Sequence, residues 1–287
     1  MTKSSDIAGH STGIGSLPPA EEKEVLDQAF AVDIPYFPSL PATGENETLL
    51  GQGLAGFPDL APDAFSPGQL WKPFLERLTQ DPRPWTKLQI VGPVTAAKGR
   101  GFSPARPGSG VLADWLSKRA EWMLEQVQSL GKKAIFFFDE PALLDEEPSS
   151  DLKLTVEKIR ERGALAGIHC CAAGDFDAYL NWPLDFLSFD FSLASPWEDA
   201  ERLWVFRQRG GRLSLGVIPT ALTPDWHPRK EVERCRSRLR AALGSADAEE
   251  VLRESMLTPA CGLGLRTLEE SAAVFRTLAD FQDCLRR

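Results

Sequence analysis

A single (β/α)8 barrel of 287 residues is the architecture this sequence predicts, on three observations. Eight short apolar runs alternate with stretches of helical periodicity, as a parallel βα architecture requires. The length suits one barrel domain, a fold that reaches this size without splitting. Polar groups able to bind a metal collect at the C-terminal ends of the runs, the rim at which such barrels carry their chemistry.

The elements follow in order. The first run is TGIGSLP (12–18), and PAEEKEVLDQAFA after it has Pro19 and an acidic first turn that suit a helix N-terminus. The second run is IPYFPSLP (34–41). Residues 42–84 then break the alternation: the stretch is rich in Gly and Pro yet apolar throughout, which predicts an inserted active-site loop or small subdomain within the one domain, 1–287. The third run, TKLQIVGP (86–93), leads into another Gly/Pro-rich loop, 96–110. GVLADWLSKRAEWMLEQVQSLG, apolar at near 3.6-residue spacing, predicts a helix ending at Gly131. The remaining runs are KAIFFFDEP (133–141), ALAGIHCC (164–171), DFLSFDF (185–191), RLSLGVIPT (212–220) and SMLTPACG (255–262). Helical patterns fall at DLKLTVEKIRERG, which stops on Gly163, and at TLEESAAVFRTLADFQDCL, which closes the chain.

Composition excludes several classes. A net charge of −9 argues against a nucleic-acid partner, and the basic stretch Arg229–Arg240 mixes with Glu231 and Glu233 around a helix as a solvated surface does. No run approaches the roughly 18 apolar residues of a membrane span, and the N-terminus lacks the apolar core of a signal peptide, so a cytoplasmic protein is expected. Five cysteines in a long chain fit reduced thiols and metal binding better than a disulfide framework.

The ends of the runs bring Ser16, Asp139, Glu140, His169, Cys171, Asp190 and Cys261 to one rim. Side chains alternate along a strand, so His169 and Cys171 share a face while Cys170 points to the wall. With Cys261 and the carboxylate of Asp190 they form a set suited to Zn2+, three soft or borderline ligands plus a replaceable fourth. Buried sulfur packing is the alternative. Cys235 and Cys284, in helical patterns, read as packing residues.

These residues also carry a resemblance. GIGSLP, FFFDEPAL, IHCC and PACGLGLRT stand in the order found in the C-terminal catalytic barrel of cobalamin-independent methionine synthase, and the chain resembles that family over nearly its whole length. The resemblance implies a methyltransferase that binds zinc through His169, Cys171, Asp190 and Cys261 and methylates the thiol of homocysteine. It assigns Gly15, Ser16 and Asp139 to the amino-acid end of the substrate, with Asp139 and Glu140 as candidate catalytic carboxylates. Glu140, however, falls on the opposite face of an ideal strand.

There are departures. The family's carboxylate ligand is usually Glu, one methylene longer than Asp190. Its second, N-terminal barrel has no counterpart here, and the histidine after the seventh strand is missing, with His227 in a Pro-rich loop as the one nearby stand-in. Both losses favour an activated methyl donor, methylcobalamin or a corrinoid protein, over methyltetrahydrofolate. Trp85, Trp115, Trp122 and Trp197 are candidates for the floor of a corrin surface, with core packing the alternative. Two further readings stay open: methylation of another thiol such as coenzyme M, as in the uroporphyrinogen-decarboxylase-like barrels, and a non-catalytic barrel that holds zinc or a corrinoid protein.

Overall fold

Six parallel strands in sequence order make one sheet: β1 (Trp85–Val91), β2 (Lys133–Asp139), β3 (Leu165–Cys170), β4 (Phe186–Asp190), β5 (Arg212–Ile218) and β6 (Met256–Pro259). The computed structural model describes residues 6–64, 66–101, 109–143, 149–174, 176–196 and 199–287. Each of the last six expected runs forms a strand. The helices expected after them are present at Ser109–Ser129, Ser150–Glu161 and Leu268–Arg286, the last opened by a Thr267/Glu270 capping box.

The first two runs are not strands. Residues 11–17 and 34–39 are extended segments held by single parallel bridges: Ser11 to Leu257 of β6, Ser16 to Ser39, and Tyr36 to Lys87 of β1. They lie between the two edges of the curled six-stranded sheet. Pro35, Pro38 and Pro41 explain why no ladder forms there, since proline has no amide N–H to donate. Side chains of β1 replace part of it. Lys87 Nζ donates to Ile14 O at 2.6 Å, and the Gln89 amide donates to Phe37 O.

Alternation along the strands sorts the core into two layers. Ile135 and Phe137 of β2 join Trp85, Leu165, Phe186 and Met256 on the concave inner face, while Phe136 and Phe138 pack outward under the helices. On β3, Leu165 is inner, and Ile168 and Cys170 are outer. His169 therefore shares the inner face with Leu165.

The 42–84 excursion is packed rather than loose. It holds the helices Leu49–Leu54 and Trp71–Gln80, and the second buries Trp71, Phe74 and Leu78. Arg119 of the long helix pins it, donating to Gln52 O at 2.6 Å, Pro62 O at 2.5 Å and Ser66 O at 3.1 Å. The tryptophans take the packing role. Trp85 lies in the inner cluster, Trp115 Nε1 donates to Gly53 O at 3.1 Å, and Trp122 packs on Trp71 with ring centres 5.9 Å apart. Trp197 lies outside the described residues. The basic helix Pro228–Leu243 pairs with its own acids, Arg234 on Glu231 and Arg236 on Glu233, and with Glu249 of the next helix. No helix among the described residues is long and apolar enough to cross a membrane.

Candidate metal centre at the strand ends

His169 is placed by the register of three strands. It sits opposite Asp139 of β2 and opposite Ser188 of β4, so three inner-face polar residues stand side by side. Its ring is 4% exposed. The Nδ1 atom lies 2.9 Å from Ser188 Oγ, and Nε2 has no hydrogen-bond partner. A buried ring nitrogen without a partner is costly unless something else fills the position.

Cys171 follows β3 immediately and keeps the inward parity of His169. Cys261 comes from two residues beyond β6, and its approach depends on Gly216. The β5–β6 register shifts at Gly216/Ile218, and a Cβ at Gly216 would stand 2.7 Å from Ala260 Cα. The bare glycine lets the chain before Cys261 lie directly on β5, with Ala260 N bonded to Ile218 O at 2.8 Å.

The result is a group of three. One ligand atom from each of His169, Cys171 and Cys261 lies within 4.8 Å of the others, and the two sulfurs are 3.4 Å apart. Two sulfurs on one tetrahedral zinc, at about 2.3 Å each, lie roughly 3.8 Å apart, so little movement separates this arrangement from a ligand set. The hydrogen bond shared with Cys171, and then the imidazole, hold the Cys261 thiol well below the ordinary thiol range. The same bond, with burial, pushes Cys171 up. Both cysteines are partly exposed, as an open position requires.

Around this group the expected residues divide. Asp139 is buried on the inner face with Oδ1 unpartnered. Burial pushes its carboxyl up, opposed by the charges of Lys87 and His169. Burial likewise pushes the Lys87 ammonium down, opposed by Asp139. A Cβ at Gly15 would stand 3.7 Å from Asp139 Oδ2, so the glycine leaves the space above that carboxylate open.

Three of the expected residues make bonds of their own outside the group. Glu140 is fully buried on the outer side, where its carboxylate accepts from Val94 N at 2.9 Å and Thr95 N at 2.7 Å. Burial still lifts its pKa to about 7. It fastens the turn after β1 and faces away from the metal group. Asp190 does not join the three ligands. Its Oδ1 turns back to accept from Ser192 N at 2.8 Å and Ser192 Oγ at 2.6 Å, a short-range bond that an Asp of this reach makes readily. Ser16 is at the rim, but its hydroxyl accepts from Gly264 N at 3.2 Å, binding the first segment to the loop after Cys261.

The other histidines are outside the three-residue group. His227 caps the helix Pro228–Leu243, accepting from Arg229 N at 3.3 Å, and His10 lines a cavity with Trp85 and Lys133 at the opposite ends of the strands. Two residues were not anticipated from the sequence. Lys87 is the one charge inside the fully buried strand WTKLQIV, and Ser188 is the polar residue in the middle of FLSFD.

Fold and site together define an α/β protein with a curled parallel sheet and a His-Cys-Cys group at its strand ends. Among solved structures, a B12-independent methionine synthase from Shewanella sp. W3-18-1, in complex with selenomethionine, superposes with a TM-score of 0.54 at 17% identity. The match covers 74% of this chain and 66% of that one, just under two thirds of its length. The carboxyl transferase domain of Rhizobium etli pyruvate carboxylase with 3-bromopyruvate gives a TM-score of 0.38 at 10% identity, over 97% of this chain and 47% of that one. At 17% identity the likeness to the methionine synthase is one of fold. No family model matches the chain, and no curated protein does.

Proposed function

We propose that the chain is a zinc-dependent methyltransferase that methylates the thiol of homocysteine, built on a (β/α)8 barrel whose first two staves are irregular. The observation that carries this reading is the convergence of His169, Cys171 and Cys261 at the mouth of the inner face, one ligand atom of each within 4.8 Å of the others, with the imidazole Nε2 unpartnered. The motifs and their order support it, as does the fold shared with a methionine synthase.

Bound to these three residues, zinc supplies Lewis-acid activation, keeping an incoming thiol as a nucleophilic thiolate at neutral pH. Three protein ligands leave the fourth position for substrate, and Asp190, occupied by Ser192, is not needed there. Asp139 binds the substrate ammonium through its unpartnered Oδ1, with Gly15 leaving room above it. That contact fixes the thiol's approach to the methyl carbon. Lys87 balances the buried carboxylate in the free protein. Ser16 positions the loop that carries Cys261.

The donor in this reading is methylcobalamin or a methyl-corrinoid protein. Methyltetrahydrofolate offers a methyl on a tertiary amine, which must be protonated to leave; His10 lies at the opposite ends of the strands, and His227 is engaged as the cap of the helix Pro228–Leu243. An inner carboxylate without a partner also favours an ammonium-bearing thiol over a sulfonate such as coenzyme M.

Methyl transfer to homocysteine, measured with each donor in turn for the wild type and Cys261→Ser, tests the proposal. Turnover with methylcobalamin, lost in the variant, is expected. Zinc-loaded protein that transfers from neither donor would leave a binding barrel without catalysis.

A further inference from the structure

We infer that Ser188 is the positioning residue of the metal-binding imidazole: its hydroxyl accepts the Nδ1 proton of His169, fixing the tautomer and ring plane that aim Nε2 at the cation. The inference rests on the metal reading above and concerns a residue that touches neither metal nor substrate.

Register and parity supply the geometry. Ser188 is the Cα partner of His169 across β3–β4, and both side chains point to the inner face. The Nδ1–Oγ separation is 2.9 Å, and both residues are buried, Ser188 at 1% exposure. In so dry a place the bond strongly constrains rotation about the ring's own axis. The other ring nitrogen, Nε2, has no hydrogen-bond partner, and His169 is one of the three residues of the ligand group.

Only one proton arrangement suits both ends. A metal on Nε2 needs that nitrogen's lone pair, so the ring proton sits on Nδ1 and requires an acceptor. Ser188 Oγ is the atom within reach. Metal-bound histidines commonly use such an outer acceptor, and loss of it costs about 10- to 100-fold in affinity.

The choice of a hydroxyl also suits the charge of the site. Two thiolates and a neutral imidazole bring a divalent cation to zero net charge, and the incoming thiolate adds one negative charge. Asp139 stands opposite His169 on the other side, so the site already holds one carboxylate nearby. A second acid at position 188 would add like charge to a buried cluster, which is unfavourable. A neutral acceptor avoids it.

Ser214 is the natural control. It is the Cα partner of Ser188 on the next strand, it is buried, and its Oγ has no hydrogen-bond partner. Removing it takes an inner-face hydroxyl from the same layer without touching His169.

The experiment compares wild type, Ser188→Ala and Ser214→Ala. Zinc affinity is read by chelator competition, cobalt(II) substitution by its visible spectrum, and the His169 ring by nitrogen-15 NMR of the zinc-loaded protein. For Ser188→Ala, zinc affinity should fall about 10- to 100-fold. Its cobalt spectrum should change, and the Nδ1 proton should exchange faster with solvent. Ser214→Ala should match wild type in all three. Wild-type affinity in Ser188→Ala, an equal loss in Ser214→Ala, or a ring proton on Nε2 would overturn the inference. A wild type that holds no zinc would instead overturn the metal reading beneath it.

Discussion

Asp139 and Glu140 are adjacent in sequence and opposite in use. Asp139 ends β2 on the inner face, buried, with one carboxylate oxygen unpartnered and a cationic Lys87 nearby. Glu140 is on the outer side, equally buried, with both oxygens taking backbone N–H groups of Val94 and Thr95. The first is an arrangement that only a ligand completes. The second is complete already. Burial alone therefore does not mark a functional acid; the unfilled hydrogen-bond capacity does.

The largest effect expected is at the ligands beside Asp139. Cys261→Ser should lose stoichiometric zinc, a fall in affinity beyond the about 100-fold that an outer partner's removal costs. Metal analysis after dialysis checks it. Asp139→Asn should lower kcat/KM for homocysteine by about 10- to 150-fold, the 1.5–3 kcal/mol of a hydrogen bond to a charged group. Its folding stability should fall too, because Asn leaves the buried Lys87 ammonium without its counter-charge. A variant that keeps full kcat/KM for homocysteine would erase the contrast between the two acids.

Glu140 should behave the other way. Glu140→Ala leaves two backbone N–H groups unpaired, at about 1–3 kcal/mol each, and should lower the denaturation midpoint while zinc stays bound. Its pH dependence sharpens the point. Burial lifts the Glu140 pKa from 4.5 to about 7, so between those values the native state binds the proton more tightly than the unfolded chain. Stability then falls as pH rises through that window, and Glu140→Gln should flatten the slope. The smallest effect is expected on the far side of β3. Cys170→Ala, in the outer core, should cost about 0.5–3 kcal/mol of stability and leave zinc content unchanged.

Much of this contrast was legible beforehand. The period of two put His169 and Cys171 inward and Cys170 outward, and the same rule set Glu140 against Asp139. Six runs became strands because they are almost continuously buried, as the strands of a covered parallel sheet are. The first two did not, since proline removes the donors a ladder needs, and the side chains of Lys87 and Gln89 serve instead. A lysine inside a strand reads from sequence as a solvent-facing residue, so its burial was not legible. Asp190 read as a ligand by position, but a local bond to Ser192 two residues on is closer and costs less entropy. Ser188 depends on strand pairing, which one run cannot reveal by itself.

X-ray absorption at the zinc edge, on protein with and without homocysteine, tests the central claim most directly. One zinc per chain is expected, bound by two sulfurs and one imidazole nitrogen, with a third sulfur appearing when homocysteine is added. Absence of stoichiometric zinc, or a first shell unchanged by the thiol, would contradict the account.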